Sequence, residues 1–238
     1  MNRIFSLCIL FIAIATNSLA QKQTYAVKEI PDSLIKNADA VIRNYAHDFK
    51  INSKSRSTEI VQYAVTIFKR KALTHSIISL SYYKLSKIKN IKGAIYDANG
   101  QKIKTFDIDD MHDYSYIESS SLFSDARYKY YNPEFEQFPF TIEVSFTRKK
   151  TGMLNYPTWY PNMDFDISVQ HASFTISTPE NFKIRYAEQN LEADFQKKQN
   201  QYIWVVKNSK PIKNEPFSKP PERILPAVYS APYQFSVA

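Results

Sequence analysis

Cysteine and glycine are nearly missing from this sequence of 238 residues, which contains one cysteine and three glycines. Gly93, Gly100 and Gly152 lie too far apart to form a glycine-rich loop, so a phosphate-cradling nucleotide fold is not expected. The single cysteine, Cys8, lies in a segment that we expect to be removed. Once that segment is removed, the chain can form no disulfide, no thiolate metal site and no thiol nucleophile. Such a chain depends on its hydrophobic core.

The first twenty residues have the pattern of a secretory signal peptide. Arg3 supplies a positive charge, residues 4–15 are nearly all apolar, and Ser18-Leu19-Ala20 places small residues where a signal peptidase cleaves. An apolar core of this length is too short to span a bilayer. We therefore expect cleavage after Ala20 and export to the periplasm or the medium. Cys8 lies upstream of where a lipoprotein cysteine would be, so we interpret it as incidental.

Long apolar runs are missing from the rest of the chain, but apolar residues are not. Hydrophobic residues make up 44% of the sequence and aromatic residues 15%, which argues against disorder. The 17 tyrosines and 16 phenylalanines favour strands. Together with the strand patterns described next, this composition predicts an all-β fold, an antiparallel β-sandwich with short helical segments.

The clearest strand pattern runs from Phe140 to Thr147, where apolar and polar residues alternate. A period of two places Phe140, Ile142, Val144 and Phe146 on a buried face and leaves Glu143 on the polar one. A second strand is predicted from Phe165 to Ser177. Its apolar residues change parity near Gln170 and His171, which indicates a β-bulge or a strand that crosses between two sheets.

Other strand patterns occur along most of the chain, and one hairpin stands out. Asn99-Gly100 can adopt the positive φ of a tight turn between residues 94–96 and 102–106. We predict a signal peptide at 1–20, an N-terminal arm at 21–37 and a β-sandwich domain at 38–208. Proline recurs after residue 208, so we expect residues 209–238 to form an extended segment leading to a downstream domain missing from the chain.

The net charge is +8, and the sequence pI is about 9.3. Export argues against nucleic acid as the partner, and the lysines and arginines are scattered. A solvated basic surface is the simplest interpretation. The alternative is an anionic partner in the envelope, such as acidic glycan or lipid headgroups.

Three groups of residues invite a chemical interpretation. The acidic segment 107–113 could hold Ca²⁺, but it lacks the spacing of an EF-hand loop, and a solvated turn or a helix start is the preferred interpretation. His47, His75, His112 and His171 show no metal-ligand spacing. Tyr156, Trp159 and Tyr160 could form a stacking platform for sugar rings, or could be packed core residues. We nominate no catalytic, cofactor-binding or metal residue.

Three stretches carry a resemblance to a known family: residues 37–43, residues 95–103, and residues 140–186 with their Trp159-Tyr160-Pro161 landmark. They resemble the uncharacterised β-sandwich domain that precedes the transglutaminase-like core in exported bacterial proteins. The Glu215-Pro216-Phe217 and Pro220-Pro221 stretches fit the end of that domain. The resemblance implies a fold and a neighbouring domain more than an activity.

Catalysis in such proteins requires a Cys, a His and an Asp in the core that follows this domain. The sequence ends at Ala238, before any such core, so we expect a fragment, a truncated form or a separately encoded first domain. The implied function is that of a non-catalytic accessory domain that packs on a transglutaminase-like catalytic domain, in cis or in trans, or presents substrate to it. The alternatives are an independent envelope glycan- or protein-binding module and, less favoured, a hydrolase.

Overall fold

A computed structural model describes residues 24–116 and 125–234. The predicted signal peptide lies outside the described residues. The strands are β1 (Ala40–Ser53), β2 (Arg56–Ile67), β3 (Ile78–Tyr82), β4 (Ser86–Tyr96), β5 (Lys102–Asp107), β6 (His112–Ser115), β7 (Arg127–Tyr131), β8 (Phe140–Thr151), β9 (Ile167–Ser177), β10 (Ile184–Gln189), β11 (Asp194–Lys198), β12 (Gln201–Ser209) and β13 (Ala227–Pro232). The helices are α1 (Asp32–Ile35), α2 (Pro221–Ile224) and the 3-10 helices Val27–Glu29, Arg70–Ser76 and Ile108–Asp110. The predicted all-β fold is confirmed.

One large sheet forms the first layer of the sandwich, with its strands in the order β11-β12-β9-β1-β2-β8-β4-β5. The second layer consists of two small sheets, β3-β7-β6 and β10-β13. Among the described strands, all pairings are antiparallel except that of β1 with β9. This parallel pair was not predicted. It forms because the long connection between the two strands lets β9 return on the free side of β1.

A single apolar core joins the two layers. Ile142 and Val144 of β8 and Phe174 of β9 are fully buried, as the alternating pattern predicted. Ile78 of β3 and Val228 of β13 reach the same core from the second layer. The face of the large sheet that meets the second layer is called the core face below, and the opposite one the outer face.

The predicted change of parity in β9 is present, and β1 changes parity at the same level. Val169 and Ala172 both face the core, and the residues between them are half-buried. In β1 the register against β2 shifts between Ile42 and Asn44, which marks a bulge. Two side-chain contacts tie the strands together there, Arg43 Nε to Gln170 Oε1 at 2.8 Å and Asn44 Oδ1 to His171 Nδ1 at 3.2 Å.

The N-terminal segment is not a separate arm. Ile30, Leu34 and Ala38 form a second apolar cluster with Val41 of β1 on the outer face. The hydroxyl of Ser168 donates to the carbonyl oxygen of Leu34 at 2.7 Å. Residues 24–39 therefore cover one half of the outer face and belong to the domain.

The proline-rich segment also differs from the prediction, because it folds back on the sandwich instead of leading away. The amide of Asp166 donates to the carbonyl oxygen of Ile212 at 2.8 Å. Further along, β13 pairs with β10 and buries Val228 in the core. Proline is tolerated at the end of an edge strand, which explains why Pro232 can close β13. The domain therefore extends beyond residue 208.

Candidate functional site

The predicted aromatic platform lies inside the protein. Trp159 is 0% exposed, and its ring stacks on that of Phe174 with centroids 5.7 Å apart. Its backbone exchanges two hydrogen bonds of 2.9 Å with Val228 of β13. Trp159 therefore offers no ring face to a sugar, because the returning C-terminal segment covers it.

The other two residues of the platform do not replace it. Tyr156 is 8% exposed and packs against Phe49, with ring centroids 5.1 Å apart. Tyr160 is half-buried and meets Tyr229 edge-on at 6.4 Å. The structure thus brings the three aromatic residues into the core and its margin, which was the alternative interpretation of this segment.

The acidic segment 107–113 has the geometry of a helix start. Asp107 caps the helix Ile108–Asp110, and the carboxylate of Asp110 accepts from the amide of Asp107 at 2.9 Å. Asp113 instead forms ion pairs with Arg127 at 2.8 Å and Lys129 at 3.0 Å. Burial raises the pKa of Asp113, but the Tyr82 hydroxyl and the two cations outweigh it and lower that pKa to about 2.

The four histidines lie in four different surroundings. His47 is buried on the core face of β1, while His75 lies 3.8 Å from Asp164. His112 packs against Tyr114, and His171 contacts Asn44. Within residues 24–116 and 125–234, no three His, Cys, Asp or Glu side chains converge in a metal-binding arrangement.

A buried charged cluster on the core face was missed by sequence reasoning. Glu59 of β2 is 5% exposed and lies 3.4 Å from Arg148 Nη1 and 3.5 Å from His47 Nε2. Burial raises the pKa of Glu59, but His47 and the charge of Arg148 outweigh this effect, so the pKa lies below its ordinary value. Because Glu59 and His47 are both buried, the cluster stabilises charge inside the fold and offers no open reaction site.

The signal for this cluster was present in the sequence. Glu59 has the same parity as Val61 and Val65, and Arg148 has the same parity as Val144 and Phe146. A charged residue on the buried parity of each of two strands indicates a compensating pair. The cross-strand register that places Glu59 opposite Arg148 could not be derived from local pattern.

A second polar cluster occupies the outer face, around Glu143 of β8. The hydroxyl of Tyr25 donates to one carboxylate oxygen at 2.8 Å, and the hydroxyl of Tyr96 donates to the other at 2.7 Å. Gln62 adds a longer bond of 3.3 Å. Burial and the neighbouring carboxylate raise the pKa of both tyrosines. Glu143 therefore anchors the N-terminal segment to the sheet instead of facing solvent.

An apolar groove lies at one end of the sandwich, with a volume of about 690 Å³. Leu154 is 67% exposed and Tyr233 is 53% exposed. Lys183 lies 6.0 Å from the ring of Tyr233. The groove, called the terminal groove below, is lined by Met153, Leu154, Tyr156, Phe182, Pro232 and Tyr233, among others. Exposed apolar side chains therefore share one groove, an arrangement that often marks an interaction surface.

The fold and this groove define a β-sandwich domain whose open apolar surface lies beside its last strand. The family model DUF3857, described as a domain of unknown function with a solved structure, matches residues 53–213. The chain belongs to this family. No curated protein matches the sequence.

Solved structures show the same fold in a longer protein. A candidate protease from Parabacteroides distasonis superposes with a TM-score of 0.67 at 14% identity, over 82% of this chain and 40% of its own. The present chain therefore spans less than half the length of that protein.

Weaker matches include the leukotriene A4 hydrolase of yeast, with a TM-score of 0.38 at 12% identity over 88% of this chain and 32% of its own. An M1 zinc metallopeptidase from Deinococcus radiodurans gives 0.35 at 8% identity over 87% and 46%. No helix among the described residues is long and apolar enough to span a membrane.

Proposed function

We propose that this chain is a non-catalytic accessory domain of an exported transglutaminase-like protein, and that it docks the catalytic domain at the terminal groove. The observation that carries the proposal is the exposure of Leu154 and Tyr233 in a groove of about 690 Å³. Exposed apolar side chains that share one groove on a folded domain mark a place where another surface packs.

The position of the terminal groove favours docking of a domain that follows in the chain. Strand β13 lies in the second layer and brings Tyr233 and Gln234 to the wall of the groove. A domain joined after Gln234 would begin next to this surface. Packing there would bury Leu154 and Tyr233 without disturbing the core.

The composition supports the non-catalytic part of the proposal, and the longer structural neighbour supports a second domain. Thiol catalysis needs a cysteine, and Cys8 of the predicted signal peptide is the single cysteine of the sequence. The fold also makes up 40% of the longer Parabacteroides protein described as a candidate protease. An arrangement of one β-sandwich domain beside one catalytic domain is consistent with both observations.

The test supplies a catalytic domain in trans. A transglutaminase-like core is taken from an exported bacterial protein in which it follows a domain of this family. Its binding to residues 21–238 is measured by isothermal titration calorimetry. We expect binding of micromolar strength, since interdomain surfaces resemble transient interfaces. The chain alone should turn over neither transglutaminase nor cysteine-protease substrates.

Two variants locate the interface. Tyr233→Ser removes an aromatic side chain from the groove and should weaken binding about tenfold. Phe217→Ser is the matched control, because Phe217 is also an exposed aromatic residue of the C-terminal segment but is not among the residues that line the groove. Equal affinity of both variants, or turnover by the chain alone, would contradict the proposal.

A further inference from the structure

The half of the outer face that the N-terminal segment leaves open carries an unusual concentration of positive charge. Lys87, Lys89 and Lys92 follow one another along β4, and Lys149 of β8 lies directly opposite Lys87. All four are exposed, and we call them the lysine patch. Like charges placed directly opposite on neighbouring strands destabilise a sheet, so folding alone does not favour this arrangement.

A bulge in β4 creates the patch. The register against β8 shifts between Lys89 and Lys92, and Asn90 has a positive φ of 54° at that point. The extra residue lets Ile91 enter the core, at 1% exposure, while Lys89 and Lys92 both point to the outer face. Without the bulge, strict alternation after Lys89 would send Lys92 towards the core.

The patch has few counter-charges. Within the described residues, none of its four lysines forms an ion pair. The carboxylates lie at the Lys92 end, where Asp107 is opposite Lys92 on β5 and Asp110 and Glu143 line the depression beside it, whereas the residues opposite Lys87, Lys89 and Lys149 carry no negative charge. Asp48 is the nearest carboxylate on β1, opposite Ile60. A field of positive potential therefore faces solvent.

Hydroxyl groups surround the lysines on the same flat surface. The pairing of β1, β2, β8 and β9 aligns them on the outer face, where they are half-exposed: Thr58, Ser145, Thr147, Ser173, Thr175 and Ser177. Ile60, at 52% exposure, is the exposed large apolar side chain among them. Hydroxyls exchange hydrogen bonds with sugar hydroxyls, and one apolar side chain can pack under a sugar ring.

A shallow depression continues the surface at the sheet edge. It has a volume of about 390 Å³, and its polar lining consists of Lys92, Lys102, Thr105 and Ser145 together with the carboxylates of Asp107, Asp110 and Glu143. This is room for a small group such as one sugar unit, whose hydroxyls can donate hydrogen bonds to these carboxylates, at the end of the lysine row. Along the strand, side chains on one face are about 6.7 Å apart, so the lysines present a regular line of charge.

We propose that the lysine patch binds a linear acidic polysaccharide through its carboxylates. Charge complementarity selects an anion, and the flat hydroxyl-rich surface with its edge depression selects a sugar polymer. A membrane surface fits less well, because interfacial binding draws much of its strength from several inserted apolar side chains. This site is separate from the terminal groove, so each can fail without the other.

The test measures binding of polygalacturonate to residues 21–238 by calorimetry at low and moderate salt. The fully methyl-esterified polymer has the same backbone without the charge, and vesicles containing phosphatidylglycerol test the lipid alternative. We expect binding to the acidic polymer that weakens with salt, since exposed charges are screened within about 10 Å at 0.1 M. The esterified polymer and the vesicles should bind more weakly.

Two triple variants with equal change in net charge localise the site. K87Q/K89Q/K149Q should weaken polymer binding about tenfold, and K36Q/K210Q/K219Q, built from exposed lysines outside the patch, should change it by less than about twofold. Neither should lower the thermal midpoint of the parent, because exposed substitutions change stability little and the first triple also removes the repulsion between Lys87 and Lys149. Equal losses in the two triples, stronger binding to vesicles, or no polymer binding at low salt would overturn the proposal.

Discussion

Glu59 and Glu143 lie on neighbouring strands of the same sheet and are stabilised in opposite ways. Glu59 points into the core and is held by the charge of Arg148 and by the imidazole of His47. Glu143 points to the outer face and accepts hydrogen bonds from the hydroxyls of Tyr25 and Tyr96. No cation among the described residues pairs with Glu143.

The difference follows from what covers each face. The second layer excludes water from the core face, so an unpaired carboxylate there would be very costly and a cation must accompany it. The N-terminal segment covers the outer face less completely, and Glu143 is half-buried. Neutral donors are then sufficient, and the carboxylate serves as an anchor for the segment.

The largest effect on the free energy of unfolding is expected from breaking the pair of Glu59 and Arg148. Arg148→Met leaves Glu59 buried with His47 as its remaining partner, and should lower the free energy of unfolding by about 3–5 kcal/mol. Urea denaturation measures this loss. The double variant Glu59→Gln/Arg148→Met removes both charges and should recover part of it. A loss below about 1 kcal/mol in the single variant would mean that the pair is not needed inside the core.

A smaller effect is expected on the outer face. Glu143→Gln keeps the shape but removes the charge that strengthens two hydrogen bonds, so we expect a loss of about 1–2 kcal/mol. The alternating pattern alone predicted a solvent-facing Glu143, and hence little change. Glu215→Gln, at an exposed position, is the control and should change unfolding by less than about 0.5 kcal/mol. Similar losses of unfolding free energy in the two variants would show that Glu143 does not anchor the N-terminal segment.

Acid should remove the stability that the core-face carboxylate of Glu59 provides. The pKa of Glu59 is lower in the folded protein than in the unfolded chain, where it is about 4.3. The unfolded chain therefore takes up the proton first, and the stability that Glu59 provides above that pH is lost as the pH falls through the folded pKa. Glu59→Gln should be less stable than the parent at neutral pH and should approach it below about pH 4. A stability difference that is constant with pH would refute this assignment.

The smallest effect on stability is expected at alkaline pH, from the two tyrosines of the outer face. Burial and Glu143 raise the pKa values of Tyr25 and Tyr96, so the folded protein keeps these protons longer than the unfolded chain does. Stability is complete below the unfolded pKa of about 10 and falls as the pH rises above it. Ultraviolet titration of Tyr96→Phe should show one late-titrating tyrosine fewer than the parent. An unchanged late fraction would exclude Tyr96 from the group.

Local pattern predicted the parts of the fold that repeat along a strand. It placed Phe140, Ile142 and Val144 in the core and found the parity change of β9, because the two-residue period of a strand is written into adjacent side chains. It did not predict the parallel pairing of β1 with β9 or the return of β13, since both depend on contacts between residues far apart in the chain.

The candidate sites divide in the same way, between what local sequence determines and what long-range contacts determine. The sequence by itself determined that the only cysteine is Cys8 and that the chain carries a net positive charge. The tertiary structure alone decided that Trp159 is enclosed, that Lys149 meets Lys87, and that Tyr233 reaches an open groove. Composition and the two-residue alternation of a strand can be read directly from the sequence. Burial and the clustering of charges arise only when strand register and the return of the C-terminal segment bring distant residues to one face.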